Sequence, residues 1–384
     1  MRRLALLGAL ASLAAACGSG KPAATLADVA PRSTSAVLDV ARAPTTRALA
    51  LSAAGSTLRR AIASTSWARF APRAQVAILP QGPVAYLLPK DRKAFERALD
   101  ARRLLHAHVR GWEAFTPNVA ALAAAEHAKR TLRSDAWFAR ASQAAPGHAD
   151  AVLLARGWQV LSVSGDAFGV TRPGGGRAAP VAGEAAIPAD AVAASAWHDA
   201  ARVLRGLPVG AQLRAGLGLT LPDLAAAAPG DAVFYARPGV PLPGLTLLAD
   251  GGTLRAAARL VHDLDREAPP PLPATVDGHT LEDVAFSALD IYYGRVGRTL
   301  VLTNDPGATL VKAGRRLRPA GLPAGVVGWT WVDVPRALAE LRTLASLAGT
   351  SVSESFVRRF AGLRTVLEYE TAGHGLRTST IVAR

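Results

Sequence analysis

The stretch Val160-Leu-Ser-Val-Ser-Gly-Asp-Ala-Phe-Gly-Val-Thr-Arg172 decides the fold. In it, two runs rich in β-branched and aromatic residues flank a turn that contains Gly165, a pattern that is typical of a β-hairpin. A second hairpin is predicted where Val366–Thr371 and Leu376–Val382 flank Ala372-Gly-His-Gly375. Because a short turn joins antiparallel strands, the sheet is predicted to be mainly antiparallel.

Helical patterns interrupt the predicted strands. Phe95 and Leu99 lie four residues apart in the amphipathic segment Lys90–Arg103, which is predicted to be a helix. A second helix is predicted over Asp333–Ala348, because a proline occupies its first turn and Gly349 follows its last residue. Apolar runs predict further strands at Gln75–Leu79, Val84–Leu88, Ala151–Leu154 and Val326–Val332.

The chain contains an internal repeat. The segment that begins at Pro31 is similar to the one that begins 157 positions later at Pro188, and Phe70–Val76 matches Ala227–Val233 at the same offset. We therefore predict an α+β fold of two tandem repeats, each a mainly antiparallel sheet packed with helices. The predicted parts are a first repeat at 30–171, a linker rich in proline and glycine at 172–187, and a second repeat at 188–384 with an additional hairpin over Thr280–Leu302.

The first residues have the composition of an export signal. Two arginines follow Met1, and Leu4–Ala16 is an apolar run. As a helix this run would reach about 20 Å, which is less than the roughly 30 Å hydrocarbon core of a bilayer. A cleavable signal peptide is therefore expected over residues 1–16, rather than a transmembrane helix.

The chain's one cysteine, Cys17, lies where this signal would be cut. Leu13-Ala-Ala-Ala-Cys17 resembles the lipobox of bacterial lipoproteins. The resemblance implies that the Cys17 thiol receives a diacylglycerol and that cleavage makes Cys17 the first residue. Residues 17–29 would then be a tether at the outer face of the cytoplasmic membrane, within the cell envelope. The alternative is an ordinary cysteine in a plain secretory signal.

Several segments together resemble a bacterial family. Pro31–Val40 and Pro188–Ser195 match the proline-led strand of the proteins grouped as domain-of-unknown-function family 3352, and Val84–Leu99 and Ser134–Phe138 match later elements of that family. The resemblance implies an exported or membrane-tethered chain of this fold. It implies no catalytic residue, since the family has no established activity.

Basic residues are concentrated in the first predicted repeat. The chain has 44 Lys and Arg against 29 Asp and Glu, a net charge of +15. Residues 30–178 hold 21 basic and 9 acidic residues, whereas 188–384 hold 20 and 18. A basic surface attracts anionic lipid and acidic wall polymers, so these are the expected partners of the first repeat. The alternative is an ordinary solvated arginine surface. Nucleic acid is not an expected partner, since no recognition motif is present.

Few residues are candidates for catalysis or metal binding. His106 and His108 lie on one face of a predicted strand, a spacing that can bind zinc, but no third ligand lies near them in the sequence. His262-Asp263-Leu-Asp265 is similar to a metal-phosphohydrolase dipeptide, with a solvated helix end as the alternative. The sequence has no Gly-x-Ser-x-Gly, no Ser-x-x-Lys and no phosphate-binding glycine loop. No catalytic residue, metal or cofactor is therefore assigned.

The expected function is that of a non-enzymatic envelope lipoprotein that binds or scaffolds another component. Trp329 and Trp331 share a strand face and are interpreted as core residues rather than as a platform for sugars. Two alternatives stay open. One is the solute-binding lipoprotein of a transporter, which needs a deep cleft between the two repeats with convergent polar groups. The other is an envelope hydrolase that uses His262, Asp263 or Asp265.

Overall fold

A computed structural model describes residues 25–41, 70–71, 73–157, 159–205, 220–239, 242–264, 269–286, 289–347 and 349–384. Cys17, the predicted signal peptide and Asp265 lie outside the described residues. Within the described ranges the chain divides into two compact units. Unit 1 takes residues 25–41, 70–143 and 152–157, and unit 2 takes 144–151 and 159–384. The predicted α+β class with an antiparallel sheet is confirmed.

Unit 1 is a sheet of six described strands that pair in the order β6–β1–β2–β3–β5–β4. Its strands are β1 Ala36–Val40, β2 Ala74–Leu79, β3 Gly82–Leu87, β4 Leu105–Val109, β5 Trp112–Thr116 and β6 Ala151–Ala155. Its helices are α1 Leu26–Val29, α2 Arg92–Asp100, α3 Val119–Glu126 and α4 Ala136–Ala144, with a 3₁₀ turn at Leu132–Ser134.

The core of unit 1 forms where α2 packs on the sheet. Phe95 and Leu99 of α2 are fully buried, as their spacing predicts. The Phe95 ring lies 5.2 Å from that of Phe70 and 5.5 Å from that of Phe115, centroid to centroid. The helix begins two residues later than predicted, because the Asp91 carboxylate accepts a hydrogen bond from the Ala94 amide and caps it.

The short helix α1 lies in the segment predicted to be a tether. Leu26 and Val29 are buried, and Asp28 accepts hydrogen bonds from the Thr25 amide and hydroxyl. Arg133 forms an ion pair with the same carboxylate at 2.5 Å. The packed fold therefore includes Leu26, four residues before the predicted start of the first repeat.

Unit 2 is an antiparallel sheet of twelve described strands, in the order β7–β8–β18–β17–β16–β9–β10–β11–β15–β14–β13–β12. Its strands are β7 Gln159–Ser164, β8 Ala167–Pro173, β9 Ala193–Trp197, β10 Ala232–Arg237, β11 Gly244–Asp250, β12 Leu272–Val276, β13 His279–Ala285, β14 Asp290–Val296, β15 Thr299–Thr303, β16 Val326–Asp333, β17 Thr365–Gly373 and β18 Leu376–Ala383. Its helices are α5 Ala200–Arg205, α6 Leu221–Ala227, α7 Leu254–Leu264, α8 Val334–Leu347 and α9 Glu354–Phe360, with a 3₁₀ turn at Glu184–Ala186.

The two faces of the unit 2 sheet belong to different cores. On one face Trp329 is buried with strand residues such as Tyr235 and Leu367, and it is partly covered by Val181 and Ile187. These last two residues lie in the segment predicted to be a linker, and the segment is packed there. On the other face, helix α7 buries Ala257, Leu260 and Val261 against Trp197 and Leu300. Helices therefore cover the second face, which also carries the cavity described below.

The strand order of unit 1 recurs in unit 2. The pairing β6–β1–β2–β3–β5–β4 has the same form as β16–β9–β10–β11–β15–β14, and β1 and β9 lie 157 positions apart. The hairpin that unit 2 has in addition is β12–β13, which lies earlier than the predicted Thr280–Leu302. The reason is that β14 and β15 correspond to the hairpin β4–β5 of unit 1.

Candidate functional site

The histidines and acids that the sequence nominates are dispersed. His106 and His108 lie on β4, where His106 Nε2 is 3.2 Å from Asp100 Oδ1 and His108 Nδ1 is 2.8 Å from Glu113 Oε1. His262 and Asp263 lie in the last turn of α7. Over the described ranges, no group of three or more His, Cys, Asp or Glu side chains could hold a metal ion.

Trp329, Trp331, Asp333 and Asp305 have structural roles. Trp329 is buried in the core, and its indole Nε1 donates to Glu184 Oε1 at 3.2 Å. Trp331 is partly buried against the same core. Asp333 caps α8 by accepting from the Arg336 amide at 3.2 Å, and Asp305 pairs with Arg237 at 3.1 Å. Core packing accounts for the two tryptophans, helix capping accounts for Asp333, and an ion pair accounts for Asp305.

A cavity of about 400 Å³ opens between the sheet of unit 2 and the helices α8 and α9. Its volume lies in the range of small-molecule sites, roughly 300–1,000 Å³. Nine of its ten lining residues are apolar, and the exception is Glu368. The lining residues are Val332, Val366, Glu368 and Ile381 of the sheet, Val334, Ala337, Leu338 and Leu341 of α8, and Phe356 and Phe360 of α9.

Helix α8 brings four of these residues to one side because of their spacing. Positions 334, 337, 338 and 341 follow the i, i+3, i+4, i+7 pattern of an amphipathic helix. Such a stripe normally packs into a core, but among the described α8 side chains only Val334 is buried. Leu341 stays 38% exposed, and Phe356 of α9 stays 39% exposed. The apolar side of the helix pair therefore borders open space instead of a packed interior.

The sheet forms the floor of the cavity by strand register. Val332 pairs with Val366, and Glu368 pairs with Ile381, so the four side chains project from the same face. The alternate residues, among them Leu367, project into the buried core on the opposite face. The floor is therefore held by hydrogen-bonded strands, whereas the helices above it are packed loosely.

Glu368 is the polar group of the cavity wall. Burial raises the pKa of its carboxyl, and the neighbouring Glu370 raises this pKa further. The Ser379 hydroxyl, which donates a hydrogen bond to Glu368 Oε1 at 3.3 Å, lowers the pKa. The net shift of the pKa is upward. The carboxyl therefore holds its proton to a higher pH than an ordinary glutamate does. No nucleophile or histidine lies among the cavity's lining residues. The arrangement is suited to holding an apolar group.

Two other pockets are more polar. One of about 530 Å³ lies beside Leu272 and Arg295, and one of about 480 Å³ is lined by Lys312, Arg315, Arg316 and Arg318. The second is strongly basic although it lies in the half of the chain with little excess charge. Sequence reasoning missed it because the local cluster disappears in a count over 197 residues.

Sequence reasoning also missed the apolar cavity. It predicts α8 over Asp333–Ala348, within one residue of the observed Val334–Leu347 at each end. It does not predict α9, although Ser353 caps that helix by accepting from the Phe356 amide. The available signal was an aromatic pair at i and i+4, Phe356 and Phe360, soon after a helix that has an apolar stripe.

No family model matches the chain, and no curated protein matches it either. Among solved structures, two crystal forms of TP0453 are similar in part. Form IV has a TM-score of 0.26 and 9% identity, with 51% of this chain and 77% of that chain covered. Form III has a TM-score of 0.26 and 8% identity, with 52% and 79% covered. Scores this low support no conclusion about the fold or the activity of this chain, so its function is inferred from its own residues.

Proposed function

We propose that this chain is a non-enzymatic lipoprotein of the bacterial envelope, anchored through Cys17, that binds an apolar ligand between α8, α9 and the sheet of unit 2. The proposal of an apolar ligand is supported by the cavity of about 400 Å³, since nine of its ten lining residues are apolar. The anchor rests on the lipobox-like sequence that ends at Cys17. In the described part of the chain, no helix is both long and apolar enough to cross a bilayer.

Burial of exposed apolar surface favours the binding of a ligand in the cavity. Apolar surface that leaves water contributes about 25 cal/mol per Å². Leu341 and Phe356 keep more than a third of their surface exposed, and both border the cavity. An alkyl or aromatic group in this space would remove that surface from water without requiring a new cavity. A polar solute would find only the Glu368 carboxyl, so the lining favours an apolar ligand over the solute of a transporter.

The hydrolase alternative has less support. It needs further histidine or carboxylate side chains close to His262 and Asp263. Neither of these two residues lines the apolar cavity, and the described chain has no metal-binding cluster.

The first repeat's basic surface stays a proposed contact for anionic lipid or acidic wall polymers.

The test is binding of a neutral alkyl compound. We would measure displacement of the uncharged dye Nile red by dodecanol from the full chain carrying Cys17→Ser, without detergent. Leu341→Glu places a charge in the cavity wall and is expected to weaken dodecanol binding at least tenfold. Leu347→Glu lies on the same helix, 59% exposed and outside the lining, and is expected to change it less than twofold.

Both variants and the parent chain contain the apolar run Leu4–Ala16. Any dodecanol binding to that run is therefore the same in all three proteins and cancels in the comparison. Equal affinity of Leu341→Glu and the parent chain would overturn the proposed cavity. Absence of dodecanol binding by the parent chain would do the same.

A further inference from the structure

The face of the sheet that forms the cavity floor changes from apolar to charged along its strands. On β17, Val366, Glu368 and Glu370 project to this side in turn. On β18 the sequence runs from Ile381 through Ser379 to Arg377, with Glu368 opposite Ile381 and Glu370 opposite Ser379. The apolar end lies under the helices, and the charged end lies beyond Glu368.

Three arginines converge on Glu370 at the charged end. Arg377 Nε lies 3.0 Å from Glu370 Oε2, Arg202 Nη2 lies 3.3 Å from the same oxygen, and Arg172 Nη2 lies 3.4 Å from Oε1. Glu370 is 7% exposed and Arg377 is 13% exposed at the side chain, whereas the other two arginines are open to solvent. The cluster is assembled from β8, α5, β17 and β18, all in unit 2.

The cluster has more positive than negative charge. Besides Glu370, the carboxylate of Asp199 lies 3.5 Å from Arg202 Nε, so three guanidinium groups are opposed by two carboxylates. The contacts of Arg202 and Arg172 are longer than the 2.7–2.9 Å of a strong charge-assisted hydrogen bond. Arg377 Nε is buried and makes no hydrogen bond despite its closeness to Glu370. Each guanidinium has five N–H donors, so donors remain for a further anion.

The apolar cavity and the arginine cluster around Glu370 are close enough for one small molecule to contact both. Glu368 borders the cavity and Glu370 lies two residues along the same strand, about 7 Å away at the usual strand rise. An alkyl chain that fills the cavity and leaves it past Glu368 would bring its end group to the arginines.

We propose that the ligand of the cavity is a single-chain amphiphile whose carboxylate or phosphate end group binds to Arg172, Arg202 and Arg377. This proposal rests on the proposed function, and it adds the charge and the orientation of the ligand. The alkyl chain lies under α8 and α9, and the anion lies at the Glu370 end of the sheet face.

The test compares four probes on the full chain carrying Cys17→Ser: dodecanol, laurate, dodecyl phosphate and inorganic phosphate, in the dye-displacement assay and by calorimetry. We expect at least one of the two anionic alkyl compounds to bind tenfold or more tightly than dodecanol. Arg202→Gln and Arg377→Gln are expected to reduce that ratio to less than threefold, because they weaken the binding of the anionic compounds more than that of dodecanol. Arg298→Gln, which removes a charge from an 89% exposed side chain, is the matched control and is expected to keep the ratio.

The outcomes separate the two proposals. Equal affinity for dodecanol and both anionic compounds, or a ratio that both cluster variants leave intact, overturns the anionic end group but not the apolar cavity. Absence of dodecanol binding overturns the proposed function. Inorganic phosphate that binds as tightly as dodecyl phosphate would show a site for free anions and would also overturn the amphiphile. Arg202 is surface-exposed, so its variant keeps the test valid if Arg377→Gln fails to fold.

Discussion

Glu368 is the titratable residue of the cavity wall. Its pKa is raised above the ordinary value of 4.5, chiefly by burial, so the folded chain favours the protonated carboxyl. The resulting stabilisation is complete below the ordinary pKa and is lost as the pH rises through the raised one. In urea titrations between pH 4 and pH 8 we expect the parent chain to lose stability with rising pH. Glu368→Gln is expected to lose less, and to be more stable than the parent at pH 8.

The control for this prediction is Glu126→Gln, which alters an exposed glutamate at the end of α3 in unit 1. Its stability is expected to follow that of the parent chain across the whole pH range. If Glu368→Gln and the parent chain gave parallel curves from pH 4 to pH 8, burial would not govern this carboxyl.

Gly328 is required by the packing of Trp197 on the neighbouring strand. The two residues pair across β16 and β9, and a Cβ at 328 would lie 2.6 Å from Trp197 Cδ2 and 2.9 Å from the Ala196 carbonyl oxygen. Because backbone and a large ring would both have to shift, we expect Gly328→Ala to lower the free energy of unfolding by about 1–3 kcal/mol. Gly147→Ala, whose Cβ would meet nothing within 4 Å, is expected to change it by less than about 0.5 kcal/mol in the same denaturant titration. Equal effects of the two substitutions would contradict this assignment.

Single residues differ in how far the sequence reveals them. A helix that starts near Asp333 and a core position for Trp329 follow from local patterns. In the structure Asp333 caps α8 and Trp329 is buried. The pair His198–Asp231, at 2.8 Å, was not predicted. Its partners lie 33 positions apart, and His198 Nε2 also lies 2.8 Å from the Ala179 carbonyl oxygen. No spacing rule relates such residues, because folding alone brings them together.

The helices α8 and α9 differ from α7 in how firmly they are packed. Helix α7 buries three residues in a core, whereas among the described side chains of α8 only Val334 is buried. Local opening is easiest where few apolar contacts are lost, so we expect amide hydrogens of 334–347 and 354–360 to exchange at least tenfold faster than those of 254–264. Saturating dodecanol is expected to slow exchange in α8 and α9 and to leave α7 unchanged. Equal rates of amide hydrogen exchange in all three helices would contradict the loose packing of α8 and α9 over the cavity.

The hairpins were among the most predictable elements of the fold. The strands β7 and β8 lie within one residue of their predicted bounds, and β17 and β18 lie within two. The reason is chemical: Gly165 and Gly375 have φ of +56° and +73°, a backbone region that favours glycine and therefore marks the turn in the sequence. The cavity left no such mark. An apolar stripe on a helix has the same spacing whether it packs into a core or borders an open space.

At the scale of the whole molecule, charge is more local than the composition indicates. In unit 1 several arginines already have partners, since Arg73 pairs with Asp39, Arg133 with Asp28 and Arg156 with Asp135. In unit 2, which has little excess charge over its length, arginines gather around Glu370 and in the segment 312–318. A count over a repeat therefore predicts the average field but not the sites at which an anion would bind. The residues of the Glu370 cluster span positions 172 to 377. Because they are so far apart in the sequence, no local motif predicts the cluster.

The proposed membrane anchor, Cys17, lies outside the described residues. Lipidation at Cys17 would join two or more acyl chains to a segment that precedes Leu26, the first buried residue of the described chain. Each buried methylene contributes about 0.8 kcal/mol, so two long chains hold a protein at a bilayer stably. We expect Cys17→Ala to abolish labelling with an alkyne fatty acid and to reduce the membrane-bound fraction at least tenfold. Ser19→Ala, two residues away, is expected to change neither measurement. Since the described fold begins after both positions, near-ultraviolet circular dichroism should be the same for the two variants. Undiminished labelling of Cys17→Ala would show that the anchor is elsewhere, whereas release without unfolding would assign membrane attachment to this one thiol.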